Sequence, residues 1–402
     1  MTRSFDILIA GGGMVGLTVA AILASSEHRD RLNIRVIDAG ERPRFDAASD
    51  VALRVSAIAN GSSRLYATLG VWDRVIAVRA CPFREMRVWD ARQPVDGPAT
   101  LHFDAAEFAV PELGSIVENA LIQDALLDFL DGAEVELSFQ TAIRSLQPVG
   151  QRLSVEFDEG RFATPELLIG ADGAASLIRR HAGIATIVKH YGQSAFVTHV
   201  RPDQRHRHTA WQRFLESGPL ALLPLQDGRV SVVWSTTPEE AEAAAVLSDG
   251  ELGERLSEAS DRVLGSLTAS GPRGTFRLQA QHATHYVMPG MALVGDAAHS
   301  MHPLAGQGAN LGIADAAALA AAVGKAIAAG RHPGDLPVLR RYERARKGAN
   351  LAMLSFVDGL NRLFSSRSAP LATLRGTGMK LFNRSGPLRR RAVEVALGVI
   401  RP

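Results

Sequence analysis

The chain has 402 residues, more than one ordinary hydrophobic core holds, so we expect about two domains. Apolar residues make up 46% and charged residues 21%, which is typical of a soluble globular protein. The single cysteine, Cys81, excludes an intramolecular disulfide and a cysteine-rich metal site. No apolar run reaches the roughly 18 residues of a membrane span. Phe5–Ala10 already has the pattern of a strand, so we expect no cleaved leader.

Charge is distributed unevenly along the chain. Residues 331–402 hold 15 Lys and Arg against 4 Asp and Glu, whereas the preceding residues are net acidic. Within this end, Leu371–Leu397 interleaves basic with apolar residues, which indicates basic amphipathic helices. Such helices either dock on an anionic membrane surface or an acidic protein, or pack as a solvated pair, and the sequence leaves both open. Without a nucleic-acid-binding motif, we predict no nucleic-acid partner.

The first glycine motif follows the strand Phe5–Ala10. Gly11, Gly13 and Gly16 form a G-x-G-x-x-G match, a helical pattern begins near Met14, and the next strand ends in Asp38. This β-α-β arrangement is typical of dinucleotide binding, because the glycines allow a tight turn, close approach of a pyrophosphate and close helix packing. The acid would accept hydrogen bonds from a ribose. The motif does not distinguish NAD from FAD.

Two polar residues between the motifs are further candidates. Arg54 lies in an extended segment just before a helix, where its guanidinium could pair with a diphosphate, although a lone Arg is by default a surface residue. The apolar spacing of Ile116–Leu130 predicts a helix, with Asn119 and Gln123 on one face.

A second ligand-edge pattern follows a buried strand that ends at Ile169. The run continues Gly-Ala-Asp-Gly, with the acid at Asp172, and then enters a helix that carries Ser176 and Arg179. The alternative is a tight Asp-Gly turn that binds nothing.

The third pattern spans Met291–Asp315 and also begins as a buried strand. The strand breaks at Gly295 and Asp296, crosses a Pro/Gly-rich loop, and enters a helix near Asn310. Unpaired N–H groups and the positive dipole end of that helix favour a ligand. The loop holds two histidines: we interpret His299 as a packing residue, and we leave His302 open between packing and facing a substrate.

The segment between the second and third patterns reads as several strands rich in aromatic and β-branched residues. Such a sheet could form the wall of an apolar pocket. Its substrate-pocket candidates are Gln212, Phe214, Leu223, Pro224 and Trp234. His206 and His208 form an H-x-H, but no carboxylate or Cys cluster completes a ligand shell, so we predict no metal site.

The three patterns, in this order, resemble those of the class A flavoprotein aromatic hydroxylases, which share the fold of p-hydroxybenzoate hydroxylase. The run G-D-A-A-H-x-x-H-P-x-A-G-Q-G-x-N-L-G-x-x-D at Gly295–Asp315 is similar to the hallmark of the ubiquinone-biosynthesis hydroxylase branch. Ala210–Leu225 and Tyr342–Asn350 also resemble that branch. The likeness extends over essentially the whole chain.

The resemblance implies an α/β fold in which a Rossmann-type FAD-binding domain is interleaved with a mixed or antiparallel-sheet substrate domain. The FAD-binding domain would comprise residues 1–80, 116–189 and 286–360, and the substrate domain residues 81–115 and 190–285. Residues 361–402 would form the basic amphipathic helices.

The resemblance also implies the residues that hold FAD. Asp296 would hold a ribityl hydroxyl, and Asp172 would lie where the flavin and nicotinamide diphosphates come close. The remaining implied FAD contacts are Gly11, Gly13, Met14, Gly16, Asp38, Arg54, Gln123, Gly295 and Asn310. The implied lining of the isoalloxazine ring is Pro303, Gly306, Gln307 and Gly308. No side chain is assigned as the catalytic group, because the flavin is the reacting group.

The implied activity is that of an FAD-dependent monooxygenase. NAD(P)H would reduce FAD, and O₂ would react through a flavin hydroperoxide to hydroxylate a polyprenylated phenol or quinol in ubiquinone biosynthesis. The alternatives are a same-fold hydroxylase of a small soluble aromatic compound and a non-catalytic flavin-binding subunit of a biosynthetic complex. We expect a cytoplasmic protein that binds the inner face of the membrane, or a biosynthetic complex, through its basic end. The sequence leaves oligomer formation open.

Overall fold

The computed structural model describes residues 5–150, 152–302, 306–365 and 369–398. The strands are β1 Phe5–Ala10, β2 Leu32–Ile37, β3 Val55–Ala59, β4 Cys81–Phe83, β5 Glu85–Asp90, β6 Leu101–Asp104, β7 Gly114–Glu118, β8 Glu136–Ser138, β9 Ile143–Val149, β10 Arg152–Phe157, β11 Phe162–Ala163, β12 Leu167–Gly170, β13 Thr186–Pro202, β14 Thr209–Phe214, β15 Pro219–Pro224, β16 Val230–Thr236, β17 Leu267–Ala283, β18 Val287–Met288, β19 Met291–Leu293 and β20 His299–Ser300. The helices are α1 Met14–Ala24, α2 Asn60–Thr68, α3 Trp72–Arg79, α4 Asn119–Asp131, α5 Leu177–His181, α6 Pro238–Val246, α7 Asp249–Ala259, α8 Gln307–Ala328, α9 Leu336–Ser365, α10 Ala369–Arg384 and α11 Pro387–Ala396.

The first large sheet is mainly parallel and has the strand order β18-β19-β12-β1-β2-β8. Its central strands read as near-continuous apolar runs because helices or neighbouring elements bury both of their faces. In register, Ala10 pairs with Gly170, and Gly170 pairs with Leu293. The carboxyl ends of the three strands that carry the glycine and acid patterns therefore meet at one edge. Ligands of doubly wound α/β folds bind at this edge.

The second large sheet is mainly antiparallel, with the order β20-β17-β13-β16-β15-β14-β5-β6. Helices α6 and α7 cover one face and bury Phe196 and Trp234 against it. Helix α9 crosses the opposite face, where the Phe364 ring stacks on Phe214 with 3.9 Å between the centroids. We call this opposite face the inner face. The predicted α/β architecture is confirmed, while the predicted domain boundaries stay a prediction.

The third pattern joins the two large sheets. It leaves the first sheet at the end of β19, makes a turn at Gly295–Ala297, and enters the second sheet as β20, which pairs with the end of β17. The loop between the sheets is therefore fixed at both ends, so its side chains lie at the junction of the two sheets.

The helix predicted over Ile116–Leu130 is wrong at its start. Gly114–Glu118 is strand β7, which pairs with β3 and β4, and the helix begins only at Asn119. All five residues of β7 are buried between two partner strands, so pairing overrides the helical spacing of Ile116 with the residues after it.

Helix α8 is the one helix in the described part of the chain that is long and apolar enough to cross a membrane. It packs instead between α1 and α9 and belongs to the main core. Helix α11 also packs against the body, because Val393 and Leu397 enter an apolar cluster with Val51 and Phe83. Arg389 of α11 forms an ion pair with Glu107. The apolar side of α11 therefore packs within the protein, as in the second of the two alternatives given for the basic helices.

Candidate active site

The first motif forms the turn between β1 and α1. A Cβ added to Gly16 would lie 2.0 Å from the carbonyl oxygen of Gly11, so only glycine allows the helix to pack this closely on the turn. A Cβ added to Gly13 would meet nothing within 4 Å, so the turn is open at this position. Helix α1 begins directly after it at Met14, with the first N–H groups of the helix available to an anion.

Asp38 and Gln123 both lie at this turn. The two carboxylate oxygens of Asp38 accept hydrogen bonds from the N–H groups of Gly12, at 2.6 Å, and Gly40, at 2.7 Å. Each oxygen retains a lone pair for a further donor such as a ribose hydroxyl. The side-chain amide of Gln123 donates to the carbonyl of Gly12 at 3.2 Å. The structure thus brings both predicted residues to the first motif.

Asp172 of the second motif caps helix α5. Its carboxylate accepts from the Ser176 hydroxyl at 2.6 Å and from the N–H of Ile178 at 3.0 Å. These contacts are those of an ordinary helix cap, so the contact of Asp172 with a diphosphate stays a prediction.

Arg179 joins the second motif to the third. Its buried guanidinium donates to the carbonyl of Ala297 at 2.7 Å and to that of Ala174 at 2.8 Å. The side chain of Gln281 bridges the same two turns, donating to the carbonyls of Ala174 and Asp296. The sequence placed Arg179 on the helix but gave it no role, because its acceptor in the third motif, Ala297, lies 118 residues away in the chain.

Asp296 presents its carboxylate at the turn after β19. The side chain is exposed to solvent, yet the protein around it desolvates the carboxylate and raises its pKa, while the charges of His299 and Arg54 oppose the shift. Arg54 is exposed as well, and its guanidinium lies 5.3 Å from the centroid of the Phe276 ring. The structure therefore brings Arg54 and Asp296 into electrostatic contact, although they are far apart in sequence.

A buried cluster centred on Asp315 lies behind this turn. The Asp315 carboxylate is fully buried and accepts four hydrogen bonds, which come from Gly295 N–H at 3.2 Å, His299 Nε2 at 2.5 Å, Arg346 Nε at 2.7 Å and Asn350 Nδ2 at 3.0 Å. Burial by itself would raise the pKa of Asp315, but its contacts with His299, Arg346 and Asn350 lower it below the ordinary value. The interpretation of His299 as a packing residue missed its hydrogen bond with Asp315, whose carboxylate also holds the turn by accepting from the N–H of Gly295.

Asn310 was predicted to contact the cofactor, but its side chain is engaged within the protein. Its oxygen accepts from Ala59 N–H and the Ser62 hydroxyl, both at 2.9 Å, and its nitrogen donates to the carbonyls of Ala57 and Gly306. All donors and acceptors of the amide are satisfied in this way. The Asn310 side chain therefore joins α8 to β3, and the predicted contact of Asn310 with the cofactor stays a prediction.

The start of α8 carries the described part of the predicted ring-lining segment. Gly306 adopts φ +62° just before the helix, and a Cβ there would lie 2.9 Å from the Cβ of Ala57. Helix α8 begins at Gln307, and a Cβ added to Gly308 would meet nothing within 4 Å. Pro303 lies outside the described residues. The helix N-terminus is thus open on the Gly308 side.

The predicted substrate-pocket residues divide between the two faces of the second sheet. Gln212, Phe214 and Leu223 lie on the inner face, since Gln212 pairs with Ala221 of the same face. On this face Phe214 packs on α9, and Leu223 joins the apolar cluster that α11 covers. Pro224 and Trp234 alternate onto the opposite face, and Trp234 packs into the core under α6 and α7. The prediction of Pro224 and Trp234 as pocket residues is therefore wrong. β15 is apolar on both faces and does not identify the covered one, whereas in β16 the alternation of Val230, Val232 and Trp234 with Ser231 and Ser235 indicates it.

His302 is fully buried at the junction of the two sheets. Its ring meets the edge of Tyr191 at right angles, with 5.0 Å between the centroids. Neither ring nitrogen has a hydrogen-bond partner among the described residues. Burial lowers the pKa of His302 to about 4, so the ring is neutral near pH 7.

The donors and open positions of the three motifs fit FAD. An open glycine turn at a helix N-terminus suits a diphosphate, Asp38 retains acceptors for a ribose, and Asp296 presents a carboxylate for a polyol chain. The second glycine-rich helix start is open at Gly308, where a planar ring could approach the helix N-terminus. The arrangement thus offers positions for the diphosphate, a ribose, the ribityl chain and the flavin ring.

Comparisons with known proteins agree with this fit. A family described as "FAD binding domain" matches residues 4–356. The 3-demethoxyubiquinol 3-hydroxylase of Escherichia coli is 37% identical over 98% of this chain and 98% of its own length. The mitochondrial ubiquinone biosynthesis monooxygenase COQ6 of Xenopus tropicalis is 34% identical over 98% of this chain and 93% of its own length.

A solved structure shows the same fold. PqsL of Pseudomonas aeruginosa, crystallised with 2-aminobenzoylacetate, superposes with a TM-score of 0.77 at 23% identity, covering 94% of this chain and 99% of that one. The matched family spans most of the chain, and both relatives align over nearly its full length. The chain belongs to the FAD-binding-domain family of FAD-dependent monooxygenases, in the group that contains the ubiquinone-biosynthesis hydroxylases.

Proposed function

We propose that this monooxygenase hydroxylates the aromatic ring of a polyprenylated phenol or quinol in ubiquinone biosynthesis. The observation that carries the proposal is the convergence of the three motifs on one sheet edge, beside a mainly apolar inner face, in a chain whose full-length relatives are named for that pathway. NAD(P)H supplies the two electrons, one oxygen atom of O₂ enters the ring, and the other leaves as water.

FAD, when bound, would carry electrons from NAD(P)H to O₂ and deliver oxygen to the substrate. The residues of the chain hold and orient it: Gly13 and Met14 receive the diphosphate, Asp38 the ribose and Asp296 the ribityl chain. The N-terminus of α8 would stabilise negative charge on the reduced ring, because its first N–H groups carry the positive end of the helix dipole.

The inner face of the second sheet suits a lipid-like substrate. Its two apolar clusters share the partly buried side chains Met86 and Phe103, which lie between α9, α10 and α11. Met301, one residue before His302, packs against the same group. This continuous apolar surface beside the third motif supports a substrate with a prenyl chain, since flexible and aromatic side chains adapt to an irregular hydrocarbon.

The outer side of the C-terminal helices supports docking at an anionic membrane surface as part of the proposal. Lys380, Arg384 and Arg391 are exposed there, and Leu381 between them is 63% exposed. Basic residues around an exposed leucine favour an anionic lipid surface. In pelleting with anionic vesicles, we expect binding by the full chain and its loss when these three cations become Gln. Equal pelleting of the wild type and this variant would contradict docking through these three cations.

Quinone analysis in a deletion strain tests the substrate assignment. Removing the gene should cause a prenylated intermediate that lacks one ring hydroxyl to accumulate, and that intermediate names the position hydroxylated. A normal ubiquinone content in the strain would exclude the assignment. The purified yellow protein can also be tested for NAD(P)H oxidation. If only small soluble phenols stimulate this oxidation, the alternative, a hydroxylase of a small soluble aromatic compound, would be favoured.

A further inference from the structure

The buried imidazole of His302 has chemistry that the fold does not use. The side chain is 0% exposed, and both ring nitrogens lack a partner among the described residues. The other histidine of the same loop, His299, meets a carboxylate at 2.5 Å. Buried polar groups without a partner are rare because each loses its hydrogen bonds to water, so two on one ring point to a ligand.

His302 lies at the end of the described part of the third motif, beside the apolar clusters of the inner face. It follows β20 and precedes Gly306 and α8 in the chain, and Met301 beside it packs into the apolar cluster of the inner face. The His302 ring therefore packs against the second sheet through Tyr191, next to the apolar cluster proposed for the prenyl chain.

The wall against His302 is built from an irregular strand. The register of β13 against β17 shifts between His190 and Gln193, and this bulge carries Tyr191, whose ring edge meets His302. Lys189 lies 5.1 Å from the Tyr191 centroid and forms an ion pair with Asp358 of α9. Bulges redirect side chains and recur beside active sites, and here the bulge fixes an aromatic wall against the imidazole.

We propose that His302 orients the substrate by accepting a hydrogen bond from a hydroxyl group on its aromatic ring. This inference rests on the proposed function. A neutral imidazole has one acceptor nitrogen and one N–H donor, and a phenolic hydroxyl group can donate its proton to the acceptor nitrogen. Because the imidazole pKa is about 4, it is too weak a base to remove a phenolic proton outright. His302 therefore orients and polarises the hydroxyl group rather than deprotonating it.

Ligand titration followed by the flavin absorbance tests the inference without turnover. The probes are a phenol with a short prenyl chain and its methyl ether, which has the same ring but no hydroxyl donor. The proteins are the wild type, His302→Phe, His302→Gln and the surface control His285→Phe, all loaded with FAD. We expect the wild type and the control to prefer the phenol over the ether by about ten-fold.

The variants separate substrate orientation from packing. His302→Phe should lose the preference while folding at least as stably as the wild type, because it removes two unpaired polar atoms. His302→Gln should keep part of the preference, because its amide retains a donor and an acceptor. An unchanged preference in His302→Phe would overturn the role of His302 and leave the proposed function standing. Failure of the FAD-loaded wild type to bind either probe would overturn the proposed substrate class and this inference with it.

Discussion

The substitution Asp315→Asn removes the charge at the centre of the buried cluster while keeping the shape of the side chain. One carboxylate oxygen becomes an NH₂ group, which then faces a donor, either His299 Nε2 or Arg346 Nε. The cluster loses the anion that offsets the Arg346 charge, and the turn at Gly295 loses part of its anchor.

The expected loss in the free energy of unfolding follows from the burial of Asp315 and from the contacts that Arg346 retains. Breaking a buried pair by removing one partner costs about 3–5 kcal/mol. Arg346 retains two neutral acceptors, the Asn350 side-chain oxygen and the Leu311 carbonyl, so we expect the lower end, about 3 kcal/mol. A loss of 1 kcal/mol lowers the melting temperature of a domain of about 200 residues by about 2–4 °C, so the midpoint should fall by about 6–12 °C.

Thermal unfolding of the FAD-loaded proteins, followed by circular dichroism and by flavin fluorescence, measures both consequences. Asp315→Asn should melt earlier and release FAD more readily than the wild type, because the turn that carries Asp296 is less fixed. The matched control is Asp131→Asn, which breaks an exposed ion pair with Arg42 and should cost less than about 1 kcal/mol. A variant that melts and retains FAD like the wild type would refute the role of this cluster.

Three further changes test other parts of the site. Gly13→Ala should leave the melting temperature of the flavin-free protein unchanged but weaken FAD binding at least ten-fold by equilibrium dialysis, because the methyl group enters open space beside the diphosphate; normal FAD binding would contradict that placement. Arg179→Met should also weaken FAD binding by about ten-fold, since it unties the second and third motifs, whereas Arg180→Met on the exposed side should not. The low pKa of His302 means that the unfolded chain binds a proton between about pH 6.5 and 4 that the folded chain does not, so stability rises with pH in that window. Urea titrations at pH 7 and pH 5 measure the free energy of unfolding at each pH. Between pH 7 and pH 5 this free energy should fall by about 2 kcal/mol less in His302→Phe than in the wild type, and an equal fall in both proteins would contradict a buried neutral ring.

The three motifs could be predicted from the sequence because each is a local signal. A short apolar strand that ends in glycine and an acid, followed by a helical pattern, is visible within about 25 residues. The parallel order of β19, β12 and β1 then brings the motifs together without further information from side chains.

The connections behind the motifs could not be predicted, because they join distant segments. The Asn310 amide donates a hydrogen bond to the carbonyl of Ala57, and the Asp315 carboxylate accepts one from Arg346. Neither pair of residues is close in the chain, so no local sequence pattern indicates the contact. Both faces of β15 are apolar, so only the packing of α6 and α7 shows which face of that strand is covered. For His302, the sequence supplied the position, while its burial and unpaired nitrogens required the structure.

Turnover with isotope-labelled oxygen tests the central claim most directly. The FAD-loaded protein is supplied with NAD(P)H, labelled O₂ and a prenylated phenol, and the product is analysed by mass spectrometry. We predict one labelled oxygen atom in the aromatic ring for each NAD(P)H consumed by the coupled reaction, and no product without FAD. A product that carries no label, or NAD(P)H oxidation that yields only hydrogen peroxide with every prenylated phenol tested, would contradict ring hydroxylation at this site.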